Sequence, residues 1–259
     1  MYILASDYDG TLNRGGISEP VREAIAEFRA AGNLFGIVTG RDYWMYETVA
    51  RENLPIDFIL AMNGAMLVAT DGPRAGEILR VERQDNNGCL RWIVEHLGHN
   101  YGQDVSTVLV RDRVTFHADF PDGNERYAPL SRMDADSPDG IRAFSQMNTR
   151  CATDELARRC VAEINERWGD TVNALQNGGC IDIPPAGIDK GEGVARLARS
   201  AGVPDDCVFC AGDNRNDSAM IARFRGLAVE NAVPELKSMA EAVFPDIAAM
   251  IGYIEGARP

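Results

Sequence analysis

Two rhythms of apolar and polar positions run along this chain. In the first third, short apolar runs alternate with segments of helical spacing. Tyr2 to Ser6 predicts a short strand ending at Asp7, and Leu34 to Val38 a second strand followed at once by Thr39-Gly40-Arg41. Between them, Glu19 to Ala31 places Val21, Ala24, Ile25 and Phe28 at helical spacing, with Gly32 just beyond its end. A helix from about Tyr43 to Glu52 and a strand from Phe58 to Ala61, ending at Asn63-Gly64, complete that stretch. The last third repeats the pattern. Helices are expected over Gly191 to Ala201, Ser218 to Phe224 and Pro234 to Glu241, with strands at Cys207 to Ala211 and Arg225 to Val229. Strands alternating with helices at this spacing predict a parallel sheet with crossover helices.

The middle of the chain reads differently. A helix at about 86–98 is followed by strand-like Val105 to Val110 and Val114 to Ala118, then a Pro/Gly/Asp-rich connection over 119–140. A strand at Ile141 to Thr149, a helix at Thr153 to Trp168 and strands at Val172 to Gln176 and Cys180 to Ile183 close the segment. The expected fold class is therefore α/β, with an α+β module inserted into it. Residues 1–82 and 186–259 form the expected core and 83–185 the insert.

Composition narrows the function classes. With 259 residues, 45% of them apolar and 25% charged, the chain has the balance of a soluble globular protein. No stretch approaches the roughly 20 apolar residues of a membrane helix, and the opening MYILASDYDG lacks the pattern of a secretory leader. A cytoplasmic location is the expectation. The net charge of −13, with no basic run, argues against nucleic acid and anionic membranes as partners. An anionic substrate then needs a metal ion or a few placed cations to override the overall field. The six cysteines read as free thiols, including the C-x-x-C of Cys207 and Cys210, which is expected in a strand where the two face opposite ways.

Four separated segments carry the candidate chemistry, each just beyond a strand or at a helix start. Asp7-Tyr8-Asp9-Gly10-Thr11 places two carboxylates two residues apart; such like charges need a cation or a shared proton. In extended chain, side chains 7 and 9 point the same way. Thr39-Gly40-Arg41 offers a hydroxyl and the Gly40 amide to an anion. Lys190 opens a helix, where the macrodipole disfavours a cation unless an anion is bound nearby. Gly212-Asp213-Asn214-Arg215-Asn216-Asp217 sets two further carboxylates among neutral oxygen donors, a set that suits a hard cation.

In this order, DYDGT, Thr39, Lys190 and GDNRND resemble the four motifs of the haloacid dehalogenase superfamily of phosphotransferases. Asn63-Gly64-Ala65 and Val229-Glu230-Asn231-Ala232 resemble segments of its Cof-type branch. The resemblance covers the α/β core. It implies a Rossmann-like parallel sheet with an inserted α+β cap domain. Too little chain lies between Asp9 and Thr39 for an insert, whereas about 150 residues separate Thr39 from Lys190. In the family an insert there is a type II cap, similar here to the IIB subtype, which acts mostly on phosphorylated sugars and other small metabolites.

The resemblance further implies that Asp7 attacks phosphorus and Asp9 serves as general acid and base. Mg²⁺ would be held by the Asp7 side chain, the Asp9 backbone carbonyl and Asp213, with support from Asp217. Thr39, Gly40 and Lys190 would bind the phosphoryl oxygens, and Arg41, Asn63 and Asn216 are candidate substrate contacts. The implied activity is a Mg²⁺-dependent phosphomonoesterase acting on a small phosphorylated metabolite through an aspartyl-phosphate. A phosphomutase of the same superfamily (phosphomannomutase-like) and a non-catalytic phosphate-binding protein are the competing readings. Asp9, Asp213 and Asp217 together argue against dehalogenation, which needs neither a leaving-group acid nor a metal. Several other residues invite a role. His96 and His99 share a helix face without a third ligand, Tyr43, Trp44 and Tyr46 follow Arg41, and Arg111, Arg113 and His117 fall on strands of the insert.

Overall fold

The computed structural model describes residues 1–101, 108–111, 115–118, 131–132 and 141–256. In chain order the first elements are β1 (Ile3–Ser6), α1 (Glu19–Ala30), β2 (Leu34–Val38), α2 (Trp44–Glu52), β3 (Phe58–Ala61), β4 (Met66–Ala69) and β5 (Ile78–Val81). Then come β6 (Gln84–Asp85), α3 (Cys89–Tyr101), β7 (Val108–Arg111), β8 (Thr115–Ala118), β9 (Ser131–Arg132), β10 (Ala143–Phe144), β11 (Gln146–Arg150), α4 (Asp154–Trp168), β12 (Leu175–Asn177) and β13 (Cys180–Ile183). The chain ends with α5 (Lys190–Ala201), β14 (Val208–Gly212), α6 (Ser218–Arg223), β15 (Arg225–Val229), α7 (Pro234–Met239), β16 (Ala242–Phe244) and α8 (Ile247–Gly256). Two compact units result: Met1–Arg80 with Asp189–Pro259, and Val81–Ile188.

The first unit is built on an eight-stranded sheet in the order β16-β15-β14-β1-β2-β3-β4-β5. From β16 through β3 all neighbours are parallel, and β4 runs antiparallel to β3. Strands β1, β3 and β4 and nearly all of β2 are buried, as apolar runs in a parallel sheet covered by helices should be. Helix α1 turns Val21, Ile25 and Phe28 inward, as their spacing predicts. Strand order reverses beside β1: the chain moves outward through β2 and β3 on one side and through β15 and β16 on the other. The crevice beyond the carboxyl ends of such a pair of strands is the usual ligand position in an open α/β sheet. Here the pair is β1 and β14, which lead into Asp7 and Asp213.

Helix α5 begins where Asp189 caps it, its side chain accepting from the Glu192 amide at 2.8 Å. It packs by close backbone approach: a Cβ on Gly193 would lie 2.6 Å from the Gly64 Cα. Gly193→Ala is therefore expected to destabilise the protein by about 1–3 kcal/mol through overpacking. At an exposed helical site the same change would stabilise by up to about 1 kcal/mol. Urea unfolding measures the sign, and a stabilised variant would show that the two glycines are not in contact.

The second unit has a six-stranded sheet in the order β12-β13-β11-β7-β8-β9, antiparallel except between β8 and β9, and the pair β6-β10. Leu90, Ile93 and Leu97 of α3 and Ala157, Cys160 and Ile164 of α4 form its core with Phe144, Met147, Ile181 and Ile183. His96 is not free for a ligand role, because its Nε2 lies 2.9 Å from Glu163 Oε2 and its ring stacks on Trp92.

The structure corrects several details. The expected strand at Ile141 to Thr149 breaks at Ser145 into β10 and β11, which pair in different sheets. The strand expected from Val172 begins at Leu175, Val172 forming an isolated bridge with Pro185. Cys207 lies in the turn before β14, not in the strand; Cys210 is buried in it, and both are free thiols. Apart from β9, the 119–140 connection lies outside the described residues, as do Val105, Val114, Arg113 and the side chains of Arg111 and His117. Among the described residues, no helix is long and apolar enough to cross a membrane.

Candidate active site

Asp7 follows the last residue of β1 and is buried, its amide donating to the Ala211 carbonyl of β14 at 2.9 Å. That bond carries the parallel pairing one residue past the end of β1 and holds Asp7 against β14. From β14 the chain enters Asp213, whose amide, with that of Asn214, donates to Asp217 Oδ2 at 2.9 and 3.0 Å. Lys190, the first residue of α5, is fully buried. Its Nζ lies 2.5 Å from Asp7 Oδ1 and 2.6 Å from Asp217 Oδ1. The anion that a lysine at a helix start calls for is thus supplied by two of the protein's own carboxylates.

One carboxylate oxygen each from Asp7, Asp213 and Asp217 lies within 4.8 Å of the others. Three carboxylates against one ammonium leave a surplus of negative charge in a buried place. Burial pushes the Asp7 carboxyl well above its ordinary pKa; Lys190 opposes that shift, and Asp217 and Asp213 add to it. Burial also raises Asp213, against the hydrogen bond that Thr11 Oγ1 donates to Asp213 Oδ1 at 2.8 Å. Burial disfavours the Lys190 ammonium, but Asp217 and Asp7 more than offset it and hold its pKa above the usual lysine range. The surplus charge and a donor set made entirely of carboxylate oxygens fit a hard divalent cation. Asp217 has one oxygen on Lys190 and the other on two amides, so it shapes the Asp213 loop from behind.

Asp9 departs from its expected placement. The chain leaves extended geometry after Ser6, the Leu12 and Asn13 amides reach back to the Asp7 and Tyr8 carbonyls, and Gly10 takes φ 85°. Alternation along a strand therefore does not apply, and the Asp9 side chain is 58% exposed while Asp7's is 9% exposed. Arg41 holds it, with Nε 2.7 Å from Asp9 Oδ2 and Nη2 2.6 Å from Oδ1. Gly10 is required where it stands, since a Cβ there would fall 2.5 Å from Asp213 Oδ2.

Thr39 is buried directly after β2, its Oγ1 accepting from the Arg41 amide at 3.1 Å, with half-buried Gly40 between them. Asn63 is fully buried with φ 52°, and its amide donates to the Thr39 carbonyl at 2.9 Å. It is thus buried beside the Thr39 turn. Asn216 is half-buried in the turn between Asp213 and Asp217. Tyr43 stacks on Tyr46 and donates to the Gly76 carbonyl, whereas Trp44 is exposed. Sequence reasoning gave no role to Thr11, nor to Asn231, whose Nδ2 donates to the Gly10 carbonyl at 2.8 Å. Both tie the Asp9 loop to the Asp213 side of the site across more than 200 residues, a pairing that no local pattern signals.

A family model described as haloacid dehalogenase-like hydrolase matches residues 4–249. The chain belongs to the haloacid dehalogenase-like hydrolases. Solved structures of this fold include SMU.1108c from Streptococcus mutans, at 17% identity and TM-score 0.82 over 98% of each chain. Another is the HAD subclass IIB sugar phosphatase BT4131, at 19% identity and TM-score 0.79 over 98% of this chain and 99% of that one. Among curated proteins, a phosphoglycolate phosphatase of Pyrobaculum aerophilum is 39% identical over 100 residues, 39% of this chain and 43% of that protein. The matched stretch is thus less than half of that relative's length. In this hydrolase, all ten candidate residues lie in the first unit.

Proposed function

We propose that this chain is a Mg²⁺-dependent phosphomonoesterase that hydrolyses a small phosphorylated metabolite through an aspartyl-phosphate on Asp7. The carrying observation is the grouping of Asp7, Asp213 and Asp217 at the switch point of the sheet, with buried Lys190 between Asp7 and Asp217. Family membership and the phosphatase named among the curated relatives support the same class.

Asp7, Asp213 and the Asp9 carbonyl would hold the ion, with Asp217 behind them. When bound, Mg²⁺ offsets the repulsion between an anionic nucleophile and an anionic phosphoryl group. Asp7 Oδ attacks phosphorus in line and the leaving oxygen departs, which splits one difficult hydrolysis into two easier steps. Asp9 gives a proton to the leaving alcohol and takes one from the water that then opens the aspartyl-phosphate. Such acid–base work contributes about 10²–10⁴-fold. Thr39 Oγ1 accepts from the Arg41 amide, so its own proton can donate to a phosphoryl oxygen beside the Gly40 amide. Lys190 opposes the upward push of burial on Asp7 and balances charge on the transferring group.

The Val81–Ile188 unit serves in this reading as the cap that selects the substrate. The expected class is a sugar phosphate, the type of substrate named for the IIB phosphatase above. A screen of phosphorylated metabolites tests the proposal. Phosphate release is expected with Mg²⁺ and should vanish with EDTA and return with added Mg²⁺. Turnover unaffected by EDTA would contradict the metal assignment. With a sugar 1-phosphate, a 6-phosphate product without free phosphate would point instead to the mutase.

A further inference from the structure

We infer that the cavity between the 10–18 loop, α1 and the start of α8 is an effector site, in which Arg14 binds a small carboxylate with a branched apolar tail. Its control of turnover rests on the phosphomonoesterase reading above; the binding itself does not.

The cavity measures about 620 Å³, a size suited to a small metabolite, and lies wholly within the first unit. Its lining includes none of the residues assigned to the metal or the phosphoryl group. Leu12, Val21 and Ile247, all nearly buried, give it an apolar floor. Arg14 supplies its cation, and both partners of that guanidinium are neutral. Nη1 donates to Asn231 Oδ1 at 3.1 Å and Nη2 donates to the Pro245 carbonyl. In a chain of net charge −13, no carboxylate among the described residues has claimed it. Asp246, on the same wall, is committed elsewhere: its Oδ1 accepts from the Ala249 amide at 2.9 Å, at the start of α8. Ser18 precedes α1 without capping its first turn, which leaves the hydroxyl for a ligand. The rim is held in shape by Asn13, whose Oδ1 accepts from the Gly15 and Gly16 amides at 3.2 and 2.9 Å.

One wall of this cavity is the loop that carries Asp9. Arg14 grips Asn231, and Asn231 Nδ2 donates to the Gly10 carbonyl at 2.8 Å. Thr11, in the same wall, donates to Asp213 Oδ1. A carboxylate fills the guanidinium fork with two parallel bonds and an opposite charge, which an amide and a carbonyl oxygen do not match. It therefore draws Arg14 from Asn231 Oδ1. The Asn231 amide loses the cation that polarises it, and its hold on the Gly10 carbonyl weakens. Asp9 is then less firmly placed, while the groups that bind the phosphoryl oxygens stay as they are. The effector lowers kcat and leaves KM.

Calorimetry on the whole protein with 4-methylpentanoate, its neutral amide and acetate tests the site. The acid is expected to bind about 10–100-fold more tightly than the amide, the scale of hydrogen bonds to a charged group. It should also bind at least about tenfold more tightly than acetate, which lacks the apolar tail. Arg14→Met should erase the advantage of acid over amide, and Arg14→Lys should keep part of it. Ser18→Trp, which puts an indole into the cavity, should weaken acid and amide alike. Saturating 4-methylpentanoate should lower kcat for p-nitrophenyl phosphate several-fold with KM unchanged. Absence of binding, equal binding of acid and amide, or a rise in KM without a fall in kcat would overturn the inference, as would an unchanged kcat at saturation. Arg14-dependent binding in a protein that hydrolyses no phosphate ester would end the hydrolase reading and leave the binding site standing.

Discussion

In the Asp7→Asn variant, turnover of p-nitrophenyl phosphate is expected to fall by on the order of 10⁴–10⁶-fold, the scale seen when a nucleophile is removed from an assembled site. The substitution keeps the shape of the side chain, and its amide oxygen can still accept from Lys190 Nζ, 2.5 Å from Asp7 Oδ1 in the structure. What disappears is the charged nucleophile. The fold should not suffer, because burial already disfavours the Asp7 carboxylate and Asp217 and Asp213 stand beside it. Urea unfolding of the variant is expected to match the parent protein or exceed it. Activity that survives in a folded variant would remove Asp7 from the mechanism.

Lys190→Met should instead damage both fold and activity. The ammonium is fully buried between Asp7 and Asp217, and its loss leaves two buried carboxylates without their cation. Breaking a buried pair from one side costs about 3–5 kcal/mol. Pairing Lys190→Met with Asp217→Asn should return more than half of that stability, since the amide oxygen can still accept from the Asp213 and Asn214 amides. It should not return turnover, because the phosphoryl group has lost its buried cation. Parallel urea unfolding and phosphate-release assays separate the two effects. A Lys190→Met protein as stable as the parent would show that the ammonium does not lie between these carboxylates.

Much of this arrangement can be read from the chain itself, for a definite reason. A parallel sheet sends every strand's carboxyl end to the same edge, so Asp7, Thr39 and Asp213 converge once their strands are recognised. Lys190 is marked by the local conflict of a cation at a helix start. What escapes the reading depends on how the chain leaves its elements. Asp9 was expected beside Asp7 by strand alternation, but the turn at Gly10 carries it outward to Arg41. The burial of Asn63 and the links from Thr11 and Asn231 arise from packing between distant loops. Strand β16 is three residues long and partly exposed, and α8 carries few polar residues to mark a face, so neither leaves a clear periodicity. The strand expected over Ile141 to Thr149 divides at Ser145 because its two halves join different sheets.

Reductive trapping of the covalent intermediate addresses the chemistry most directly. Quenching the enzyme during turnover, treating it with borohydride and mapping the peptides by mass spectrometry should find homoserine at position 7, formed by reduction of an aspartyl-phosphate. Homoserine at another carboxylate, or an unmodified Asp7 during rapid phosphate release, would contradict the account.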